Sequence, residues 1–159
     1  MIIRRAVPDD YAAVGALTED AYEEFIDDPQ DYYRADLRDA ARRDREAELW
    51  VAVDDDVLVG TVTYCPLGSP WRELGSDEEA EFRMLAVAPK ARGRGVGEAL
   101  VHHCEARARA DGATRMVLST LDEMTSAHRI YERLGYRRAP ERDWFPQPDI
   151  PLWCFVKEL

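Results

Sequence analysis

Arg92-Gly93-Arg94-Gly95-Val96-Gly97 places a glycine at every second position in a basic stretch that begins at Lys90. Glycine takes positive φ without a Cβ penalty and leaves room for another group to approach the backbone. Val96, Leu100, Cys104 and Ala108 follow at helical spacing, so the turn opens a helix whose first N–H groups lack partners within it. Those donors, the positive end of the helix dipole and the charges of Lys90, Arg92 and Arg94 describe an anion site, and a polyphosphate suits it. A solvated connecting turn has similar composition, so the glycines alone do not decide. Two nucleotide motifs are excluded by their other requirements. A P-loop closes with Gly-Lys-Ser or Gly-Lys-Thr, which this turn lacks. A dinucleotide site follows the first strand and has an acidic residue about 20 positions on. Here the turn lies past mid-chain, and the next strand ends in Ser119-Thr120.

The elements that must position this turn follow from periodicity and breakers. The mostly apolar run from Phe82 to Ala88 suits a buried strand, and Pro89 ends it because proline cannot donate to a ladder. Upstream, Met1 to Ala6 is an opening strand, and Pro8-Asp9-Asp10 starts a helix with Tyr11, Val14, Leu17, Ala21, Tyr22 and Phe25 on one face. A second helix is expected from about Gln30 to Arg45. Leu49–Val53 and Val57–Tyr64 are strands joined through Asp54-Asp55-Asp56, a turn whose aspartates face different ways and so hold no metal. Gly68 to Ala80 is a polar loop in which Trp71 either covers a ligand or caps the core. Downstream come a strand at Met116–Thr120, a helix at Ser126–Leu134 stopped by Gly135, and final strands at Tyr136–Ala139 and Pro151–Lys157.

Composition bounds the function. A chain of 159 residues with 46% hydrophobic content is expected to be one domain, 1–159, with a real core. No window approaches the ~18 apolar residues of a membrane span, and the first residues carry no signal-like apolar run, so a cytoplasmic protein without membrane partners is expected. Cys65, Cys104 and Cys154 are scattered and suit reduced structural thiols better than a metal knuckle or a disulfide framework. A net charge of −11 argues against nucleic acid. The acidic surplus either attracts a cationic amine or simply keeps the protein soluble.

The turn fits Arg/Gln-x-x-Gly-x-Gly/Ala, and with the preceding MLAVAP and the later AHRIYERLGY it resembles the GNAT family of acetyl-CoA-dependent N-acetyltransferases from about Trp50 to Tyr136. The resemblance implies an α/β GNAT fold, with a mixed, mostly antiparallel sheet flanked by helices and splayed between Phe82–Val87 and Met116–Thr120 to form the cofactor slot. It implies acetyl-CoA as co-substrate, no metal, and an amine acceptor, either a small molecule or a protein N-terminus. A homodimer is left open. Arg92, Gly93, Arg94, Gly95, Val96 and Gly97 would hold the pyrophosphate. The main chain of Leu85, Ala86 and Val87 would flank the pantetheine arm, with the Val87 N–H stabilising the oxyanion. Tyr131 matches the family's tyrosine and would protonate the leaving thiolate, since a phenol of pKa ~10 is protonated at neutral pH. Glu81 would be the base, directly or through water, with Glu79 and Glu78 as alternatives; burial would have to raise its pKa. His128 is a weaker candidate without an evident partner. Tyr22, Phe25, Tyr32 and Tyr33 would line the acceptor pocket or pack the core. Met124 stands where the family often has asparagine, so either Thr125 or Ser126 substitutes or the contact is absent. The runner-up is a CoA-binding regulatory or interaction module without catalysis.

Overall fold

A computed structural model describes residues 1–26 and 32–159, with Tyr32 described by its backbone alone. In chain order the elements are β1 (Ile2–Arg5), α1 (Tyr11–Tyr22), α2 (Tyr32–Arg38), α3 (Ala40–Glu46), β2 (Glu48–Asp54), β3 (Val57–Cys65), β4 (Glu79–Val87), α4 (Val96–Ala110), β5 (Arg115–Leu121), α5 (Thr125–Arg133), β6 (Arg137–Arg138), β7 (Trp144–Gln147) and β8 (Ile150–Glu158). The strands form one eight-stranded sheet in the order β1-β2-β3-β4-β5-β8-β6, with β7 also paired to β8. Every pairing is antiparallel except β4 with β5. This is the mixed, mostly antiparallel α/β architecture expected.

Both faces of the sheet are covered, which explains why its strands are apolar on both sides. Along β2, Leu49 and Val51 join Val14 and Ala40 under α1 and α3, whereas Ala52 joins Leu100, Cys104 and Met116 under α4. Gly60 is what lets α4 lie close to β3. A Cβ there would come within 2.7 Å of Val96 Cγ1 and 3.0 Å of Leu100 Cδ1. The β2–β3 hairpin closes through Asp55 and Asp56, both at positive φ (49° and 63°), which matches the twist of the strands it joins.

Several elements differ from the sequence expectation. The single helix expected from Gln30 to Arg45 is two: Asp39 leaves helical geometry (φ −84°, ψ 67°) and its carboxylate accepts from the Arg42 N–H at 3.1 Å, capping α3. Gln30 itself lies outside the described residues. The central strand begins at Glu79, inside what the sequence suggested was loop, because Glu79 to Glu81 pair with Arg115 to Val117. The short strand β7 was not anticipated; it is held by pairing with β8 rather than by any pattern of its own.

The site depends on how β4 is deformed. Thr61 pairs with Ala86 and Thr63 with Arg83, so Met84 and Leu85 together oppose Val62. This bulge carries Met84 at φ 54°, a conformation that costs a side-chain-bearing residue energy and is tolerated where the surrounding structure enforces it. The parallel pairing of β4 and β5 stops after Glu81 and Val117, and beyond that point the strands part. The sheet is open where the sequence expected a slot.

Candidate active site

Two hollows meet at the split. The first, about 770 Å³, runs along the glycine turn and is lined by Leu85, Ala86, Val87, Arg92, Gly93, Gly95, Val96, Gly97 and Thr125, with α5 residues opposite. Gly93 (φ 77°) and Gly95 (φ 80°) both adopt the left-handed conformation that favours glycine, with open space where a side chain would be. Gly95 is the N-cap of α4 and offers no side chain to its first turn. The leading amides therefore face the hollow without an internal partner. Gly97 lies between the two walls, its Cβ position 3.6 Å from Val87 Cγ2 and from Ile130 Cδ1. Arg94, grouped with the turn in sequence, does not line this hollow. Its guanidinium turns to Asp54 at 2.6 Å, at the β2–β3 hairpin, so its charge is already paired.

The main chain of β4 presents a donor to the split. Ala88 N–H bonds the Val59 carbonyl at 2.8 Å. Antiparallel pairs alternate between bonded and non-bonded, so Val87, opposite Gly60, turns its N–H away from β3 and toward the gap left by β5.

The second hollow, about 500 Å³, opens on the other side. Tyr22, Phe25 and Tyr33 contribute to its wall, with Asp36, Glu73, Arg83, Thr120, Asp122 and Asp149. Tyr22 and Tyr33 meet edge to face at 6.2 Å. Of the four aromatics expected here, Tyr32 has a side chain outside the described residues; the other three are in place. Five residues line both hollows: Phe25, Leu85, Glu123, Met124 and Tyr131.

Tyr131 stands at the junction on α5. It is 5% exposed and packs among Phe82, Tyr136 and Phe155 at 5.8–6.0 Å between ring centres. Among the described residues its hydroxyl makes no hydrogen bond, and burial pushes its pKa above the ordinary phenol value, reinforced by Cys104. At neutral pH it holds its proton.

The carboxylates expected near the reaction are arranged differently from the sequence reading. Glu81 is fully buried and lines neither hollow. Burial raises its pKa, but its two oxygens accept the N–H groups of Glu73, Leu74 and Gly75 at 2.8–2.9 Å. It is the anchor of the loop preceding β4, not a group exposed to substrate. Glu79 is also buried; burial would raise its pKa, but Arg142, Ser76 and Arg115 reverse this and pull it to about 2. Glu78 is exposed and lines neither hollow. What the Glu81 anchor presents to the cavity is Glu73, missed in sequence because nothing in a polar loop marks which carboxylate turns inward. Its side chain is 23% exposed, ion-paired to Arg83 Nε at 3.1 Å, and its pKa is raised, burial outweighing Arg83. Replacing Glu81 with Gln is expected to destabilise the fold by about 1–3 kcal/mol, because an amide cannot accept from all three N–H groups; urea unfolding measures this.

The remaining candidates are structural. His128 is buried, stacked on Trp153 at 5.2 Å, with Nε2 3.0 Å from the Leu121 carbonyl. Trp71 caps the core, 6% exposed, its indole N–H donating to Glu46 at 2.9 Å. All three cysteines are free and buried, and burial raises each thiol, Cys154 to about 11. Met124 is the N-cap of α5 and offers it no capping side chain, and Thr125 occupies the wall of the first hollow. No helix among the described residues is long and apolar enough to cross a membrane.

Comparison with known proteins agrees with this geometry. The model of the acetyltransferase (GNAT) family matches residues 13–136. N-acetyltransferase 8B of Rattus norvegicus is 30% identical over 122 residues, covering 77% of this chain and 51% of that protein. The chain spans between about a third and a half of the length of the curated relatives it matches. Among solved structures, a ribosomal-protein-alanine N-acetyltransferase from Brucella melitensis superposes with a TM-score of 0.73 at 21% identity, covering 100% of both chains. A Salmonella typhimurium protein solved with its cofactor acetyl-CoA gives 0.72 at 21%, covering 100% of this chain and 94% of that one.

Proposed function

The chain belongs to the GNAT acetyltransferase family, and on that premise we propose that it moves an acetyl group from acetyl-CoA directly to a primary amine. The observation that carries the reading is the meeting of two hollows at Tyr131, one running along the glycine turn and one lined by aromatic and acidic side chains. The first hollow fits the cofactor: two left-handed glycines, an uncapped helix N-terminus and Arg92, which has no ion pair among the described residues, form a cradle for a pyrophosphate. When bound there, acetyl-CoA supplies an acyl group activated as a thioester. Leu85, Ala86 and Val87 on one side and Ala127 and Ile130 on the other would flank its arm.

The chain's residues then have four tasks. Glu73, in the acceptor cavity with a raised pKa, accepts a proton from the amine, directly or through water. The Val87 N–H, directed into the split, stabilises negative charge that develops on the acyl oxygen. Tyr131 gives its proton to the departing sulfur. The two hollows hold the reactants on opposite sides of the junction so that nitrogen meets carbon there. One N–C bond forms as one C–S bond breaks, and one proton leaves nitrogen while another reaches sulfur. A cysteine relay is disfavoured because burial keeps all three thiols protonated.

Thermal unfolding with acetyl-CoA, against NADH and ATP as controls, tests the first half. At ~100 times its dissociation constant the cofactor should stabilise the fold by about 2.7 kcal/mol. Thiol release in the presence of butylamine tests the second half. Absence of a shift with acetyl-CoA would overturn the cofactor site. A shift without thiol release from any amine would favour a CoA-binding module without catalysis.

A further inference from the structure

The acceptor cavity has a composition that goes beyond accommodating an amine. Among the described residues, Asp36, Glu73, Asp122, Glu123 and Asp149 line it against a single cation, Arg83. That guanidinium is not available to a ligand. Its Nε pairs with Glu73 at 3.1 Å, one terminal nitrogen donates to the Trp71 carbonyl at 3.1 Å, and its Cζ lies 5.4 Å from the centre of the Trp71 ring. Its side chain is 11% exposed. By contrast, Asp122, Glu123 and Asp149 have no ion-pair partner within 4 Å among the described residues, and Asp36 reaches only Arg42, at 3.9 Å.

Two further features point to a polar cationic guest. Thr120 lines the cavity, is itself only 5% exposed, and its buried hydroxyl finds no hydrogen-bond partner among the described residues. A buried hydroxyl left unpaired is costly, and a ligand N–H would satisfy it. Tyr22, Phe25 and Tyr33 add aromatic faces, which attract ammonium groups through the ring quadrupole. A carboxylate-bearing acceptor would meet like charge on several sides, with no unpaired cation among the described residues of the wall to receive it.

We propose that the acceptor is a small aliphatic amine carrying at least one further cationic group, a di- or oligoamine, and that amines bearing a carboxylate are rejected. This rests on the acyl-transfer reading above. One ammonium gives up a proton to Glu73 to become the free amine, then loses a second as its N–C bond forms beside Tyr131, and that proton replaces the one Tyr131 gives to sulfur. The other stays charged among Asp36, Asp122, Glu123 and Asp149.

The test uses three acceptors of equal chain length: butane-1,4-diamine, butylamine and 4-aminobutanoate, each assayed by thiol release from acetyl-CoA with the full chain. The diamine should exceed butylamine in kcat/KM by at least about tenfold, and 4-aminobutanoate should fall below butylamine. The advantage should lie mainly in KM and shrink as salt is raised. In an Asp122→Asn/Asp149→Asn double variant, the ratio of diamine to butylamine should move toward one. Equal rates for diamine and butylamine, preference for 4-aminobutanoate, or an unchanged ratio in the double variant would each overturn the proposal while leaving acyl transfer intact. Preference for a lysine-rich peptide over the diamine would overturn the small-molecule assignment. Silence with every amine would overturn the acyl-transfer reading, and this inference with it.

Discussion

Tyr131→Phe is expected to lower kcat by about 100-fold while leaving acetyl-CoA affinity within about a factor of two, the pattern of a lost proton donor rather than a lost binding contact. The expectation comes from what the phenol does and does not touch. Its ring is held by Phe82, Tyr136 and Phe155, and phenylalanine retains all three contacts. Its hydroxyl makes no hydrogen bond among the described residues, so removing it leaves no buried partner stranded and should move thermal stability little. Because burial holds the phenol's pKa above its ordinary value, it stays protonated through the neutral range. Activity that rises with pH should therefore reflect loss of a proton from Glu73 and the amine, with the Glu73 limb above the ordinary carboxylate range because its pKa is raised. Steady-state kinetics across pH, with cofactor affinity measured separately, decide the matter. A variant with wild-type kcat would remove Tyr131 from the chemistry, and a loss confined to KM would make it a wall of the pocket.

The sequence was most informative where function depends on neighbours along the chain. The glycine turn, its strand and its helix are contiguous, so left-handed glycines, an uncapped helix start and a proline stop could be read from spacing alone. Tyr131 was singled out through a motif on its own helix, and the fold brings it to the junction of the two hollows. The misreadings involve partners far apart in sequence. Glu81 was read as the base at the start of the central strand, but three amides of the preceding loop fold back onto it. Arg94 looked like part of the phosphate site, but Asp54, 40 residues earlier, takes its charge. Glu73 was hidden because only the folded loop turns it inward, beside an arginine on the adjacent strand. The second hollow draws on segments from Tyr22 to Leu152, and no local pattern announces which of their acidic residues converge.

Gly95→Asp should weaken acetyl-CoA binding between about 5- and 1,000-fold, the range spanned by a like charge about 4 Å from a phosphate in surroundings between water and a protein surface. Two effects compete to explain such a loss, and a second variant separates them. Gly95 sits at φ 80°, so any side chain there carries backbone strain, which is smallest for Asn and Asp among non-glycine residues. The position has open space where a Cβ would be, so steric collision within the protein is not at issue. Gly95→Asn therefore carries about the same strain and nearly the same volume without the charge. If the leading amides of α4 and the dipole behind them receive a pyrophosphate, Asn should retain most of the affinity while Asp loses it, and raised salt should narrow the gap. Equal losses in the two variants would trace the effect to the turn's conformation. Equal retention would mean that the turn carries no phosphate, and the cleft between Val87 and Ile130 would have to bind its guest without that anchor. The charge dependence, more than the loss itself, distinguishes an anion cradle from a tight turn.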